Sequence, residues 1–257
     1  MTRQLEEMSL DLLLRPRVKK ILPRRIRYWL AANWYSHDLD KLAWVFDTDK
    51  WKVHRYTPRY ATYFWPLRFK KLKIVEIGVG GYTDPRTGGN SLRMWKAYFP
   101  NSQIYGIDVY DKRALEEERI AIFQGDQTDA EFLKGVVKKI GVPDIIIDDG
   151  SHINAHVIRT FEVMFPLMSE RGIYVVEDTQ TSYWPQYGGD STDLNAPSTS
   201  MGYFKSLING LNHHELIHRE GAPSYFDRHI VSIHFYRNLL FVFKGDNAKP
   251  IELGEIK

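Results

Sequence analysis

The run Ile145-Ile146-Ile147, followed at once by Asp148-Asp149-Gly150-Ser151-His152, constrains the fold more than any other stretch. Three β-branched residues without polar alternation suit a parallel strand covered on both faces. The strand then stops at a polar turn that contains a glycine. In open α/β sheets, ligands bind just beyond the carboxyl ends of such strands. Two acids and a histidine therefore stand where an α/β enzyme keeps its chemistry.

The flanking sequence repeats this grammar. Lys73 to Ile77 reads as a first strand and runs into Gly78-Val79-Gly80-Gly81. Glycines there let the backbone adopt positive φ and approach a ligand closely. The loop is a poor dinucleotide fingerprint, because the third glycine of G-x-G-x-x-G falls on Thr83. A helix follows, with Asn90 or Ser91 as its cap and Leu92, Trp95 and Tyr98 or Phe99 as its buried stripe. Gln103 to Ile107 is a second strand that ends at Asp108, where an acid usually holds a ribose diol. Ile120 to Phe123 is a third. After it, Asp126 or Gln127 can bond an adenine edge, or Thr128 simply caps the helix of Asp129 to Ile140. A helix from about Ile153 to Glu170 joins the opening strand to another, Gly172 to Val176, which ends in Glu177-Asp178. A right-handed crossover of that length puts its two strands side by side, so the two acid pairs share one crevice. Residues 179–200 have no period but carry Tyr183, Trp184 and Tyr187, which suits a substrate loop. His229 to Phe235 and Leu239 to Phe243 form a terminal hairpin.

Upstream, residues 31–70 are rich in aromatics, and Asp47-Thr48-Asp49-Lys50 reads as a helix start. Tyr56, Tyr60 and Tyr63 share one helical face, as core or as a pocket wall; the polar Asp49, Lys50 and His54 among them favour a pocket. Residues 1–30 are basic and divided by Pro16 and Pro23. They suit an arm for an anionic membrane or a partner subunit, although a solvated helical appendage is the commoner outcome and is preferred.

Composition narrows the class. The chain has 257 residues and no cysteine, which excludes disulfides and thiolate metal sites and is compatible with a cytoplasmic location. A net charge of +3 is too small to argue for nucleic acid. No apolar run approaches the roughly 18 residues of a transmembrane helix, and the N-terminus does not read as a signal peptide.

This order of elements resembles the class I S-adenosylmethionine-dependent methyltransferases. Four pieces resemble a narrower group: Thr48-Asp49-Lys50 with His54 and Tyr56; Gly88-Gly89-Asn90-Ser91-Leu92-x-x-Trp95; Asp148 to His152; and Glu177-Asp178-x-x-Thr181-Ser182-Tyr183. They are similar to the metal-dependent sugar O-methyltransferases of macrolide biosynthesis and to mycobacterial relatives acting on rhamnose or mannose units, including those of the methylmannose polysaccharide pathway. The resemblance implies an α/β, Rossmann-like class I methyltransferase fold. Its seven-stranded, mostly parallel sheet has a C-terminal antiparallel hairpin and a helical N-terminal segment. Residues 1–70 would be that segment or a lid, and residues 71–257 the methyltransferase domain. S-adenosylmethionine would bind at Glu76, Gly78, Gly80, Asp108, Asp126, Gln127, Asp148, Asp49 and Tyr56. Mg²⁺ would be held by Asp149, Glu177 and Asp178, with Asp149 and His152 catalytic and His152 the general base. The acceptor would be a sugar or oligosaccharide, and the protein a homo-oligomer, expected as a dimer. A metal-independent O-methyltransferase using the same histidine, a regulatory module that binds S-adenosylmethionine without catalysis, and a nicotinamide-dependent sugar oxidoreductase are the rival readings. Asp148 capping the next helix, Glu177 pairing with a lysine and His152 bonding a backbone carbonyl are the structural alternatives.

Overall fold

The computed structural model describes residues 23–218 and 221–249. Residues 1–22, and with them most of the basic arm, lie outside the described residues. Seven strands form one sheet in the order β3-β2-β1-β4-β5-β7-β6. They are β1 (Lys73–Ile77), β2 (Gln103–Asp108), β3 (Ile120–Gln124), β4 (Ile145–Asp148), β5 (Ile173–Glu177), β6 (Ile230–Tyr236) and β7 (Leu239–Lys244). The first five pair in parallel; β7 runs antiparallel to β5 and carries β6 at the edge. This is the expected sheet, and β4 does lie beside β5.

Every second side chain of a strand enters a different core. Ile145 and Ile147 join one face, with Ile74, Ile173 and Val175; Ile146 joins the other, with Val75, Tyr174 and Val176. The second face is covered by α6 (Ala130–Ile140) and α7 (Asn154–Leu167) through Leu133, Val136, Val157, Phe161 and Phe165. The first face is covered by α5 (Asn90–Tyr98) and by the N-terminal helices α1 (Arg24–Trp34), α2 (Leu39–Phe46), α3 (Asp49–Lys52) and α4 (Thr57–Phe64). Leu42, Phe46, Tyr60 and Phe64 share one core with Trp95 and the sheet. The aromatic N-terminal segment is thus a layer of the fold.

Local details depart from expectation where backbone geometry outranks composition. The N-cap position of α5 is Gly89, with φ 69°, rather than Asn90 or Ser91. Asp129, not Thr128, caps α6 by accepting from the amides of Glu131 and Phe132. After the aperiodic segment comes α8 (Ser200–Ser206), continued by a 3₁₀ stretch, Leu207–Glu215. A last short helix, α9 (Tyr225–His229), leads into the hairpin. Among the described residues, no helix is long and apolar enough to cross a membrane.

If α4 and the sheet share one core, Phe64→Ala removes about 3–5 kcal/mol. Urea unfolding followed by tryptophan fluorescence and far-ultraviolet circular dichroism should still give one coincident transition. Separate transitions would show that the N-terminal layer folds by itself.

Candidate active site

The carboxyl ends of β1, β2 and β4 open into a cleft of about 760 Å³, within the roughly 300–1,000 Å³ usual for small-molecule sites. The turn after β1 forms its floor. Gly78 has φ +91°, and a Cβ there would stand 2.0 Å from the carbonyl oxygen of Asp149, so only glycine lets the β1 and β4 turns touch. Gly80, with φ +77°, also lines the cleft. Asp108, at the end of β2, accepts the amides of Val79 and Tyr110, one on each oxygen, both at 2.9 Å. Each oxygen keeps a lone pair for a further donor such as a diol. Asp49, Asp126 and Gln127 line the same cleft. The Thr128 amide and hydroxyl hold the Asp126 carboxyl below its ordinary range.

Three residues expected at the cofactor do not line the cleft. Glu76 is buried in β1 with Oε1 3.2 Å from the Lys50 ammonium. Its β1 position points it beneath the glycine turn, not into it. Asp148 is buried too. It accepts from Gln127 Nε2 at 3.2 Å and lies 3.4 Å from the Tyr174 hydroxyl, while Gln127 Oε1 accepts the Ser151 amide at 2.8 Å. Asp148 thus fixes a cleft residue from behind, and it caps no helix, since α7 begins after Ile153. Tyr56 donates to Asp178 Oδ1 at 2.7 Å, on the acidic side of the site.

The acids converge as β4 and β5 require, with a change of membership. Asp149, His152 and Asp178 each present a ligand atom within 4.8 Å of the others. His152 Nε2 is 4.0 Å from Asp149 Oδ1 and 3.7 Å from Asp178 Oδ2. Both His152 (φ 57°) and Asp178 (φ 54°) adopt the left-handed conformation, which is costly for residues other than glycine and gathers at functional sites. Glu177, expected as a metal ligand, is not in this group. Its Oε1 accepts from Lys50 Nζ and from the Tyr60 hydroxyl, both at 2.5 Å, so the lysine alternative for this residue is realised.

Lys50 counts in the sequence only as one of the polar residues that favour a pocket, with no role of its own. Its side chain is 0% exposed, and its ammonium also donates to Asp149 Oδ2 at 2.8 Å. Thr48 starts the short helix that delivers it, accepting the Lys50 amide at 3.1 Å. Burial alone would lower the lysine pKa, but Asp149, Glu177 and Glu76 outweigh it and push it well up. Burial raises the acids: Glu177 goes well up, with Asp149 adding repulsion, and Glu76 goes to about 7. His54 Nδ1 lies 3.4 Å from Asp178 Oδ1. The tyrosine stripe and the polar residues interleaved with it are the sequence signal for this arrangement: Tyr56 and Tyr60 pack in the core and aim their hydroxyls at Asp178 and Glu177.

No model of a known protein family matches the chain. It is 47% identical to the mycinamicin VI 2″-O-methyltransferase of Micromonospora griseorubida over 212 residues, 82% of this chain and 53% of that protein. It is 45% identical to the demethylmacrocin O-methyltransferase of Streptomyces fradiae, over 82% of this chain and 54% of that one. It also superposes on the MycE methyltransferase of the mycinamycin pathway, solved with Mg and SAH, with a TM-score of 0.80 and 45% identity. That match covers 85% of this chain and 58% of that one. This chain belongs to the same family of class I methyltransferases. It spans about half the length of the curated relatives it matches.

Two outcomes follow for the metal-free protein. Lys50→Met leaves buried Glu76 and Glu177 and half-buried Asp149 around no cation and costs about 3–5 kcal/mol. Denaturant titration should show a larger loss at pH 8 than at pH 5, where the acids take up protons; equal losses would contradict the pairing. For Glu76, the folded pKa of about 7 exceeds the ordinary 4.5, so the folded state binds the extra proton. Its contribution is complete below pH 4.5 and is lost as pH rises through 7, on the order of 3 kcal/mol. Glu76→Gln should flatten that part of the stability profile, and profiles that stay parallel would refute it.

Proposed function

We propose that this chain transfers the methyl group of S-adenosylmethionine to a hydroxyl of a sugar, as a mannoside or rhamnoside of an oligosaccharide, glycolipid or natural product. The observation that carries this reading is His152 between Asp149 and Asp178 at the lip of the glycine-lined cleft. Two relatives from Streptomyces olivaceus are named as 2′- and 3′-O-methyltransferases of rhamnosyl tetracenomycin-C compounds, and the MycE structures contain Mg with SAH, one of them with mycinamycin VI as well. Gly78, Gly80, Asp108, Asp126, Gln127 and Asp49 would bind the cofactor, Asp108 taking the ribose diol on its two free lone pairs. The donor set suits Mg²⁺, since Asp149 and Asp178 offer hard oxygens. Glu177 is tied to Asp149 through Lys50, so these two acids and the lysine act as one electrostatic unit.

The chemistry follows from these positions. The acceptor oxygen attacks the methyl carbon as the carbon–sulfur bond breaks, sulfur keeps the electron pair, and the hydroxyl proton goes to His152 Nε2. A divalent ion at Asp149 and Asp178 supplies the Lewis acidity that lowers the hydroxyl pKa. The protein's share is to align acceptor and methyl donor and to hold the base in place. Tyr56 and His54 steady Asp178, and Lys50 steadies Asp149.

Methyl transfer should stop with EDTA and return with Mg²⁺. His152→Ala should lower the rate by about 10²–10⁴-fold, with S-adenosylhomocysteine binding by calorimetry changed less than a few-fold. Activity unchanged by chelation would favour the metal-independent reading. Full activity in His152→Ala would remove His152 as the base.

A further inference from the structure

The turn after β5 exposes large aromatic rings on a frame built to keep them still. Tyr183 and Trp184 are 37% and 43% exposed, and Tyr187 lines the cleft that holds His152 and Asp178. The Trp184 and Tyr187 rings lie 6.0 Å apart, so the indole stands beside a ring of the cleft wall. The turn consists of two consecutive 3₁₀ segments, Thr179–Tyr183 and Pro185–Tyr187. The Trp184 carbonyl accepts the amides of Tyr187 and Gly189, and the Asp190 amide closes on the Ser182 carbonyl, at 2.9–3.0 Å.

Beneath it lies Asn154, 1% exposed and the first residue of α7. Its amide nitrogen donates to the carbonyls of Thr181 and Tyr187, at 3.1 and 2.9 Å. Its oxygen accepts the Ser200 amide at 2.7 Å and the Ser182 hydroxyl at 3.2 Å. All four hydrogen-bonding positions of that side chain are used. Asn154 is two residues from His152, so the aromatic turn and the turn that carries the base share one anchor.

Exposed aromatic rings clustered on a braced backbone suit a binding surface. The charge pattern narrows the ligand. From Asp178 to Phe204 the chain has three acids, Asp178, Asp190 and Asp193, and no lysine or arginine. That disfavours phosphate or carboxylate ligands and suits a neutral, hydroxyl-rich one. A pyranose presents an apolar C–H face to an aromatic ring and hydroxyls along its edge, and those would face His152 and Asp178.

We infer that Trp184, with Tyr187, is the acceptor platform: the indole stacks on the pyranose ring and sets which hydroxyl meets His152. This deepens the proposed function and rests on it. The test uses 5-fluorotryptophan-labelled protein with Mg²⁺ and S-adenosylhomocysteine, titrated with methyl α-L-rhamnopyranoside, methyl α-D-mannopyranoside or benzyl alcohol. Fluorine NMR follows the Trp184 resonance, assigned through Trp184→Phe. One glycoside should move that resonance saturably while buried Trp95 stays still. Trp184→Ala should weaken glycoside affinity, and raise KM in turnover, by about 10-fold. It should leave S-adenosylhomocysteine affinity nearly unchanged, with Trp184→Phe restoring most of the loss. Saturable glycoside binding with an unmoved Trp184 and full affinity in Trp184→Ala would overturn the platform and leave the sugar reading intact. A response to benzyl alcohol alone would make the turn an aglycone site and overturn the platform too. Failure of both glycosides to bind, by NMR and by calorimetry, would remove the sugar reading and the platform with it.

Discussion

The Lys50 ammonium lies within 3.2 Å of carboxylates from three places in the sheet: Glu76 in β1, Asp149 after β4 and Glu177 at the end of β5. One positive charge cannot neutralise three negative ones in a dry environment. Desolvation drives the surplus acids toward their protonated forms, and Glu76 shows it, with a pKa of about 7. The cluster therefore holds more carboxylates than Lys50 can balance, and bound protons make up part of the difference. Lys50 also comes from the N-terminal layer, so the site is complete only when α2 to α4 are docked on the sheet. Breaking such a buried pair costs far more than its formation stabilises, which makes Lys50 a structural commitment as well as an electrostatic one.

The same turns that carry the acids carry the backbone strain. His152 and Asp178 have positive φ, and Gly78 allows the Asp149 carbonyl to press against the β1 turn. These conformations persist because hydrogen bonds surround them. Gln127 holds Ser151, Asp148 holds Gln127, Tyr56 holds Asp178, and Asn154 ties α7 to the loop after β5. Glycine-lined cleft, acid cluster and aromatic turn thus share one edge of the sheet.

Sequence periodicity revealed the sheet because each parallel strand reads as a continuous apolar run: Ile145 to Ile147 could be little else. It also located the turns, since glycines and acids gather at strand ends for steric and solvation reasons. Side-chain direction was not legible. Glu76, Asp148 and Glu177 belong to the right turns but point into the protein, and no linear pattern distinguishes a carboxylate facing a cleft from one facing a buried lysine. The pairing of Lys50 was illegible for a related reason: lysine is almost never fully buried unless paired, and its partners lie 26, 99 and 127 positions away. Tyr60 was visible only as part of a stripe that suits a core as well as a site, and it serves both.

The central claim is that Asp149 and Asp178, organised through Lys50 and Tyr56, form a divalent-ion site beside the cofactor cleft. Crystals grown with Mn²⁺ and S-adenosylhomocysteine, measured for anomalous scattering, test it directly. The expected result is one strong peak between the Asp149 and Asp178 carboxylates, next to the ligand in the glycine-lined cleft. A filled cleft with no peak there, and with Lys50 as the only cation on the acids, would contradict it.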